Sequence, residues 1–308
     1  LDCPSLSKGS ILEGGIEMRA SYGDRVFYTI NYLVLTLIAC SSLFPLLHLI
    51  ALSISSSSAI ETGKVNLWPI DFTWDTFNVL IKGTPIVKSF NNSVVITFVG
   101  VTLCMLTTIM AAYPLSRPNF YARRFFTLSM IFTMIFSGGI IPTFLVIQSL
   151  GLVNSYWALW LPGLVSTYNM LMLRTYFENI PSEIDDAARM DGCSEVRLLL
   201  QVVLPISMPV IATLTLFYGV AFWNIFMSML IYINDTDKHN LTVLVQQMIQ
   251  SQSVLQQTMM VQPDDQVHVV EEGIKAAGVI VMITPMLVVY PFLQKYFVKG
   301  VMLGSVKG

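Results

Sequence analysis

The chain has 308 residues, of which 54% are hydrophobic and 12% charged, against about 25% charged in an ordinary soluble protein. With a mean hydropathy of +0.67 it is too apolar for a soluble domain or a disordered chain. A formal net charge of −2 also lacks the basic surplus that draws nucleic acid, so an all-α polytopic membrane protein remains.

Residues 1–17 match no signal peptide, because no apolar core follows a basic start. Glu13-Gly14-Gly15 ahead of Met18 is what a purine-rich ribosome-binding sequence would encode. Met18 is therefore expected as the natural start and 1–17 as a leader or non-native extension.

A spanning helix needs about 20 apolar residues. No Asp, Glu, Lys or Arg occurs in 26–60, 89–116, 125–173, 198–234 or 276–294. The third stretch is long enough for two spans, separated by a turn at Gln148-Ser149-Leu150-Gly151-Leu152-Val153-Asn154-Ser155. Six transmembrane helices are predicted. The first, with its N-terminal region and outer loop, occupies 18–88, and the other five lie in a core of 89–294. Residues 239–263 are also free of formal charge but carry glutamines at 246, 247, 250, 252, 256, 257 and 262. Desolvated amides are too costly for a span, so this segment is read as an extramembrane loop with room for a helix. Residues 295–308 form the tail.

Lys8, Arg19, Arg25, Arg117, Arg123, Arg124, Arg174, Arg189, Arg197, Lys295, Lys299 and Lys307 fall on one side of this topology. Only Lys64, Lys82, Lys88, Lys238 and Lys275 fall on the other. By the positive-inside rule both termini are expected in the cytoplasm. Trp68 and Trp74, in the first outer loop, read as interface anchors.

No span carries a charge, and His48 is the one titratable candidate for a relay, so an ion-driven carrier is not indicated. The chain lacks GxxxxGK[ST], a Ser/His/Asp or HExxH arrangement, and metal or redox spacing among Cys3, Cys40, Cys104 and Cys193. Catalytic residues, metal and a nucleotide site of its own are not expected. A transporter of this kind must take its energy from a partner.

The informative segment is the loop at about 177–204. Pro181 or Ser182 starts a short helix, with Glu183, Asp185 and Asp186 near its positive end, and Gly192 suits the left-handed position that ends it. Ile184, Ala187, Ala188 and Asp191 share a face at i, i+3, i+4 and i+7, where two alanines allow close approach of a groove. Ser194 caps a second helix that runs to Leu204 and is broken at Pro205. The plain alternative is an amphipathic helix resting on the lipid surface.

Asp186-Ala187-Ala188, Gly192 after three residues and Val202-x-Leu204-Pro205 after nine more resemble the EAA motif of binding-protein-dependent ABC importer permeases, EAA-x3-G-x9-I-x-L-P. Asp186 replaces the Glu and Val202 the Ile. Val65-Asn66-Leu67-Trp68-Pro69, Leu150-Gly151-Leu152 and the ending Tyr296-Phe297-Val298-Lys299-Gly300…Gly304-Ser305-Val306-Lys307-Gly308 resemble the carbohydrate branch. The likeness is strongest to permeases for oligosaccharides and polysaccharide fragments, akin to the smaller permease of maltose-type systems.

The resemblance implies a type I importer in a bacterial cytoplasmic (inner) membrane. A second related permease completes the pathway as a heterodimer, two ATPase subunits hold ATP and Mg, and an extracytoplasmic solute-binding protein delivers substrate. It implies that Glu183, Asp186, Ala187, Ala188, Gly192, Leu204 and Pro205 couple to the ATPase, and that the tail reaches toward the ATPase subunits. The same architecture for a non-sugar solute, or a scaffold or receptor without transport, stays open.

Aromatic faces and amides suit sugar recognition. Tyr168 and Asn169 in the fourth span, with Tyr218, Trp223 and Asn224 in the fifth, are therefore candidate pathway residues, with interhelical packing as the alternative. Asn91 and Asn92 are candidates for an outer gate, or simply meet interfacial water.

Overall fold

The computed structural model describes residues 22–136, 138–250 and 270–305. The leader and start expected at 1–18 lie outside these residues, as do the glutamines from 252 onward in the second outer loop, Lys307 and Gly308. Every regular element among the described residues is helical. Residues up to His48 and those from Leu49 onward form two units.

The first unit holds most of α1 (Tyr22–Ser53), whose side chains from Val26 to Pro45 are exposed, as suits a helix bathed in lipid. The second unit begins with α2 (Ser57–Glu61) and α3 (Asp75–Gly83), short helices of the first outer loop. Its central element is α4 (Ile86–Ser116). Next come α5 (Arg123–Ile135) and α6 (Ile140–Ser149), a bent pair with Gly139 at φ +83° between them. The fourth segment is α7 (Trp157–Trp160), a 3-10 turn at Leu161–Gly163 and α8 (Thr167–Glu178).

Among the described residues three helices, or five segments if each bent pair counts as one, are long and apolar enough to cross a membrane, against the six spans expected. The three are Val26–Ser53, Ile86–Ser116 and Glu271–Pro291; the third, fourth and fifth expected spans are interrupted.

The loop helix α9 (Ser182–Met190) precedes α10 (Glu195–Ile206) and α11 (Met208–Trp223), which meet at 82°. The sequence expectation of a break at Pro205 is corrected by two residues. A π-turn at Leu199–Val203 carries the helix past Pro205, widening the backbone where the proline ring would strike a carbonyl one turn back. The chain then turns at Ser207, whose N–H is shared between the carbonyls of Val203 (3.0 Å) and Leu204 (3.1 Å).

After α12 (Met227–Tyr232), the glutamine-bearing segment forms α13 (Leu241–Gln250), with Leu241, Val243, Leu244, Val245 and Met248 buried. The last helix, α14 (Glu271–Ser305), continues through Gly300 and Gly304, so the tail is helical to Ser305.

In lipid, burying apolar surface adds little, and helices associate through close packing and interhelical hydrogen bonds. Both are present around α4, which packs chiefly on α11 and α8. Gly100 lets α11 approach so closely that a Cβ there would lie 2.8 Å from the Phe222 ring. Thr108 Oγ1 lies 2.7 Å from the Tyr218 hydroxyl, Trp160 Nε1 donates to Ile96 O (3.1 Å), and Thr107 Oγ1 donates to Leu164 O (2.6 Å). A second apolar cluster, including Leu80, Ile86, Trp223, Met248 and Ile274, joins α3, α4, α11, α13 and α14.

Candidate functional site

At the arginine-bearing end of the second unit, α9 opens behind Pro181, with Glu183 and Asp185 in its first turn facing the positive end of the peptide dipoles. Gly192 takes φ +77°, its N–H donating to Arg189 O (3.0 Å) while Cys193 N–H donates to Ala188 O (3.1 Å). These bonds close the helix C-terminus. Ser194 Oγ then accepts the N–H of Arg197 (3.4 Å) and starts α10.

The helix is rotated relative to the face read from its spacing. Ile184, Asp185 and Ala188 are half-buried, and Ala188 packs on the main apolar cluster. Glu183, Asp186, Ala187, Arg189 and Asp191 are exposed, as is Met190 at 88%. Of the four residues expected on one contact face, Ile184 and Ala188 therefore turn toward the chain and Ala187 and Asp191 away from it. Leu204 packs on the same cluster and Pro205 is exposed.

The rotation follows from a charge that the spacing does not reveal. Arg117, at the end of α4, forms an ion pair with Asp185, their side chains only 18% and 14% exposed. The guanidinium lies over the Tyr113 ring, 4.5 Å from its centroid. The Tyr113 hydroxyl donates to Glu195 (2.9 Å), and Glu195 pairs with Arg189 (2.7 Å). Beside this group, Glu178 pairs with Arg123 and with Arg174 (2.8 Å), and Arg174 donates to Thr127 Oγ1 (3.1 Å), joining α5 to α8. Sequence reasoning counted these arginines only toward orientation, read Asp185 only as favouring the helix start, and missed Tyr113 and Glu195. The available signal was Tyr113 and Arg117, four residues apart at the end of a span.

The candidate pathway residues do not converge on one cavity. Tyr168 is 56% exposed and Asn224 is exposed, its side-chain amide donating to Val220 O of its own helix (2.9 Å). Asn169 is buried, and its backbone N–H donates to Ser166 Oγ (3.4 Å) at the start of α8. Tyr218 is buried against Thr108 and accepts the N–H of Ser166 (3.3 Å). Trp223 is 5% exposed and donates to Met282 O (3.0 Å). Tyr218 and Trp223 are both held between helices of this chain. A phenol or indole buried between helices must bond to a neighbouring group, and here those groups belong to this chain.

At the opposite end Asn91 is exposed, while Asn92 donates to the carbonyls of Asp237 (2.9 Å) and His239 (3.0 Å), alongside the Lys88–Asp237 ion pair (2.8 Å). Asn92 thus fastens the 235–240 loop to α4. Nearby lies a cavity of about 280 Å³ lined by Asn154, Ser155, Tyr156, Trp157, Trp160 and Lys238. The Tyr156 hydroxyl donates to Lys238 O (3.0 Å), and burial, then the Asp235 charge, raises its pKa. Among the described residues no three His, Cys, Asp or Glu side chains gather into a metal site.

Residues 22–303 match the family model described as "Binding-protein-dependent transport system inner membrane component". The chain is 39% identical over 285 residues to the polygalacturonan/rhamnogalacturonan transport system permease protein YtcP of Bacillus subtilis (strain 168), covering 92% of this chain and 99% of that relative. It is 37% identical over 293 residues to the protein LplC of the same strain, covering 94% and 98%. Its fold is similar to a chain in the crystal structure of a bacterial ABC transporter involved in the import of the acidic polysaccharide alginate. The TM-score is 0.83 at 29% identity, covering 90% of this chain and 98% of the other.

Proposed function

This chain belongs to the binding-protein-dependent transport system inner membrane components, and from that membership we propose the assembly it serves and the solute it passes. It is a multi-pass membrane permease of an ABC importer. Its partners are a second related permease, two ATPase subunits that hold ATP and Mg, and an extracytoplasmic solute-binding protein. Both termini lie in the cytoplasm, on the side that carries the arginines.

The substrate is an oligosaccharide or polysaccharide fragment, and within that class an acidic one. Relatives named for polygalacturonan and rhamnogalacturonan transport and for alginate import support this choice. Tyr168 and Asn224, the exposed members of the pathway set, are the side chains placed to meet it.

The observation that carries the reading is the short helix α9, closed by Gly192 at φ +77° and presenting Glu183, Asp186, Ala187 and Met190 outward at the arginine-bearing end. This exposed face enters the ATPase groove. ATP-driven closure of the ATPase pair moves the loop and turns the permeases between inward- and outward-facing states.

The test is purification of the complex from its native membrane with subunit identification by mass spectrometry. Uptake of labelled oligogalacturonate and of a neutral oligosaccharide is then measured in vesicles with the co-purified binding protein. ATP-dependent uptake of the acidic sugar is expected. Preference for the neutral one would remove the acidic assignment. Absence of both an ATPase subunit and uptake would favour a scaffold or receptor.

A further inference from the structure

The second span ends in a way that aims one side chain. Pro114 lies inside the last turn of α4 and Pro118 follows it, while Arg117 takes an extended backbone (φ −83°, ψ 128°) with its N–H bonded to Pro114 O (3.2 Å). Proline on both sides restricts the exit path, so the guanidinium is directed rather than free to sweep. It pairs with Asp185 in the first turn of the coupling helix, one face covered by the ring of Tyr113 from one turn earlier in α4. Tyr113 in turn reaches Glu195 at the start of α10, and Glu195 holds Arg189 in the last turn of α9. Two residues at the end of α4 therefore hold both helices that flank Gly192.

The pair is a poor device for stability alone. Taking two charges this far out of water carries a desolvation penalty, and a buried pair is often replaceable by apolar side chains without loss. Arg117 also leaves its Nε buried with no acceptor among the described residues. What such a pair does provide is a fixed direction, since a planar guanidinium between a carboxylate and an aromatic ring tolerates few arrangements.

We propose that Arg117 and Tyr113 are positioning residues that clip the coupling loop to α4, so that movement of α9 in the ATPase groove is carried directly into the central helix of the permease. α4 packs on α8 and α11, so a displacement passed to its end reaches the fourth and fifth segments as well. Without the clip, α9 would still occupy the groove, because its outward face does not include Arg117 or Asp185. It would move as a loose flap about Gly192. The inference rests on the transport reading above and adds the route by which the loop acts.

The experiment uses the intact complex in nanodiscs, with ATPase recovery, unstimulated hydrolysis, hydrolysis stimulated by loaded binding protein, and uptake as readouts. Arg117→Gln and Asp185→Asn are each expected to keep their ATPase subunits and unstimulated hydrolysis within about twofold. Stimulated hydrolysis and uptake should fall together by about tenfold. The exchange Arg117→Asp with Asp185→Arg should restore at least half of both. Tyr113→Phe keeps the ring and removes only the bond to Glu195, and should lose about threefold.

Full stimulation in both single variants would overturn the proposal. So would a lower yield of complex with normal stimulation in what assembles and no gain from the exchange, which would make the pair structural only. Should the unaltered complex contain no ATPase, the transport reading itself fails, and the variants are not needed to see it.

Discussion

Trp223 and Met282 are joined across two helices by an indole N–H donated to a backbone carbonyl at 3.0 Å, with the edge of the Phe90 ring packed alongside. The bond ties α11 to α14 three residues before Pro285. A tryptophan that composition alone would assign to sugar stacking is thereby a joint of the bundle.

Trp223→Ala should lower the amount of assembled complex while leaving uptake per complex unchanged. Removing a buried indole costs about 3–5 kcal/mol. Trp223→Phe keeps most of the contact and loses one interhelical bond, a loss of about 1 kcal/mol. Thermal stability of the purified chain and uptake normalised to complex are the measurements. Normal assembly with lost uptake would return Trp223 to the pathway.

Gly100→Ala should destabilise the bundle by about 1–3 kcal/mol, because the added methyl carbon would meet the Phe222 ring at 2.8 Å. Phe222→Leu on its own opens a gap, yet combined with Gly100→Ala it should recover part of the loss. Unfolding temperatures of the two single variants and the double variant read this coupling. Additive losses would show that the ring moves aside freely.

The two alanines of the loop should behave differently. Ala187 is exposed and Ala188 packs on the chain's own apolar cluster. Ala187→Trp should abolish ATPase recovery with the isolated chain as stable as before. Ala188→Trp should lower the stability of the chain itself. Pull-down and thermal unfolding separate the two, and identical behaviour would mean the helix turns when its partner binds.

At Gly192 nothing lies within 4 Å of an added Cβ, so substitution acts through the backbone alone. An L-residue in the left-handed region costs about 1–2 kcal/mol, least for Asn and more for a β-branched residue. Gly192→Asn should therefore keep most binding-protein-stimulated hydrolysis and Gly192→Val should lose it, both with normal membrane insertion. Equal activity would show that the loop tolerates another path.

Single cysteines at Thr62 and Asn119, both exposed, test the orientation in an otherwise cysteine-free chain. An impermeant thiol reagent added to intact cells should label the first and not the second. Labelling at Asn119 would invert the topology, and with it the side on which α9 stands.

Much of this protein is legible in its sequence. Charge-free stretches mark where six segments lie, since a bilayer tolerates few unpaired charges whatever the fold. The start, the glycine stop and the Ser194 cap of the loop at 177–204 were readable because each is a local backbone requirement satisfied within a few residues. What the sequence could not decide was facing. In lipid the inner and outer surfaces of a helix are both apolar, so periodicity does not separate a lipid-facing side chain from a packed one. Trp223 and Asn224 are neighbours of similar promise, yet one is buried against Met282 and the other exposed. The outward turn of Ala187 and the inward turn of Ala188 depend on Arg117, 68 residues before Asp185 in the chain. The tertiary structure alone decides such matters, because the partner of a buried charge is chosen by whichever helix end reaches it.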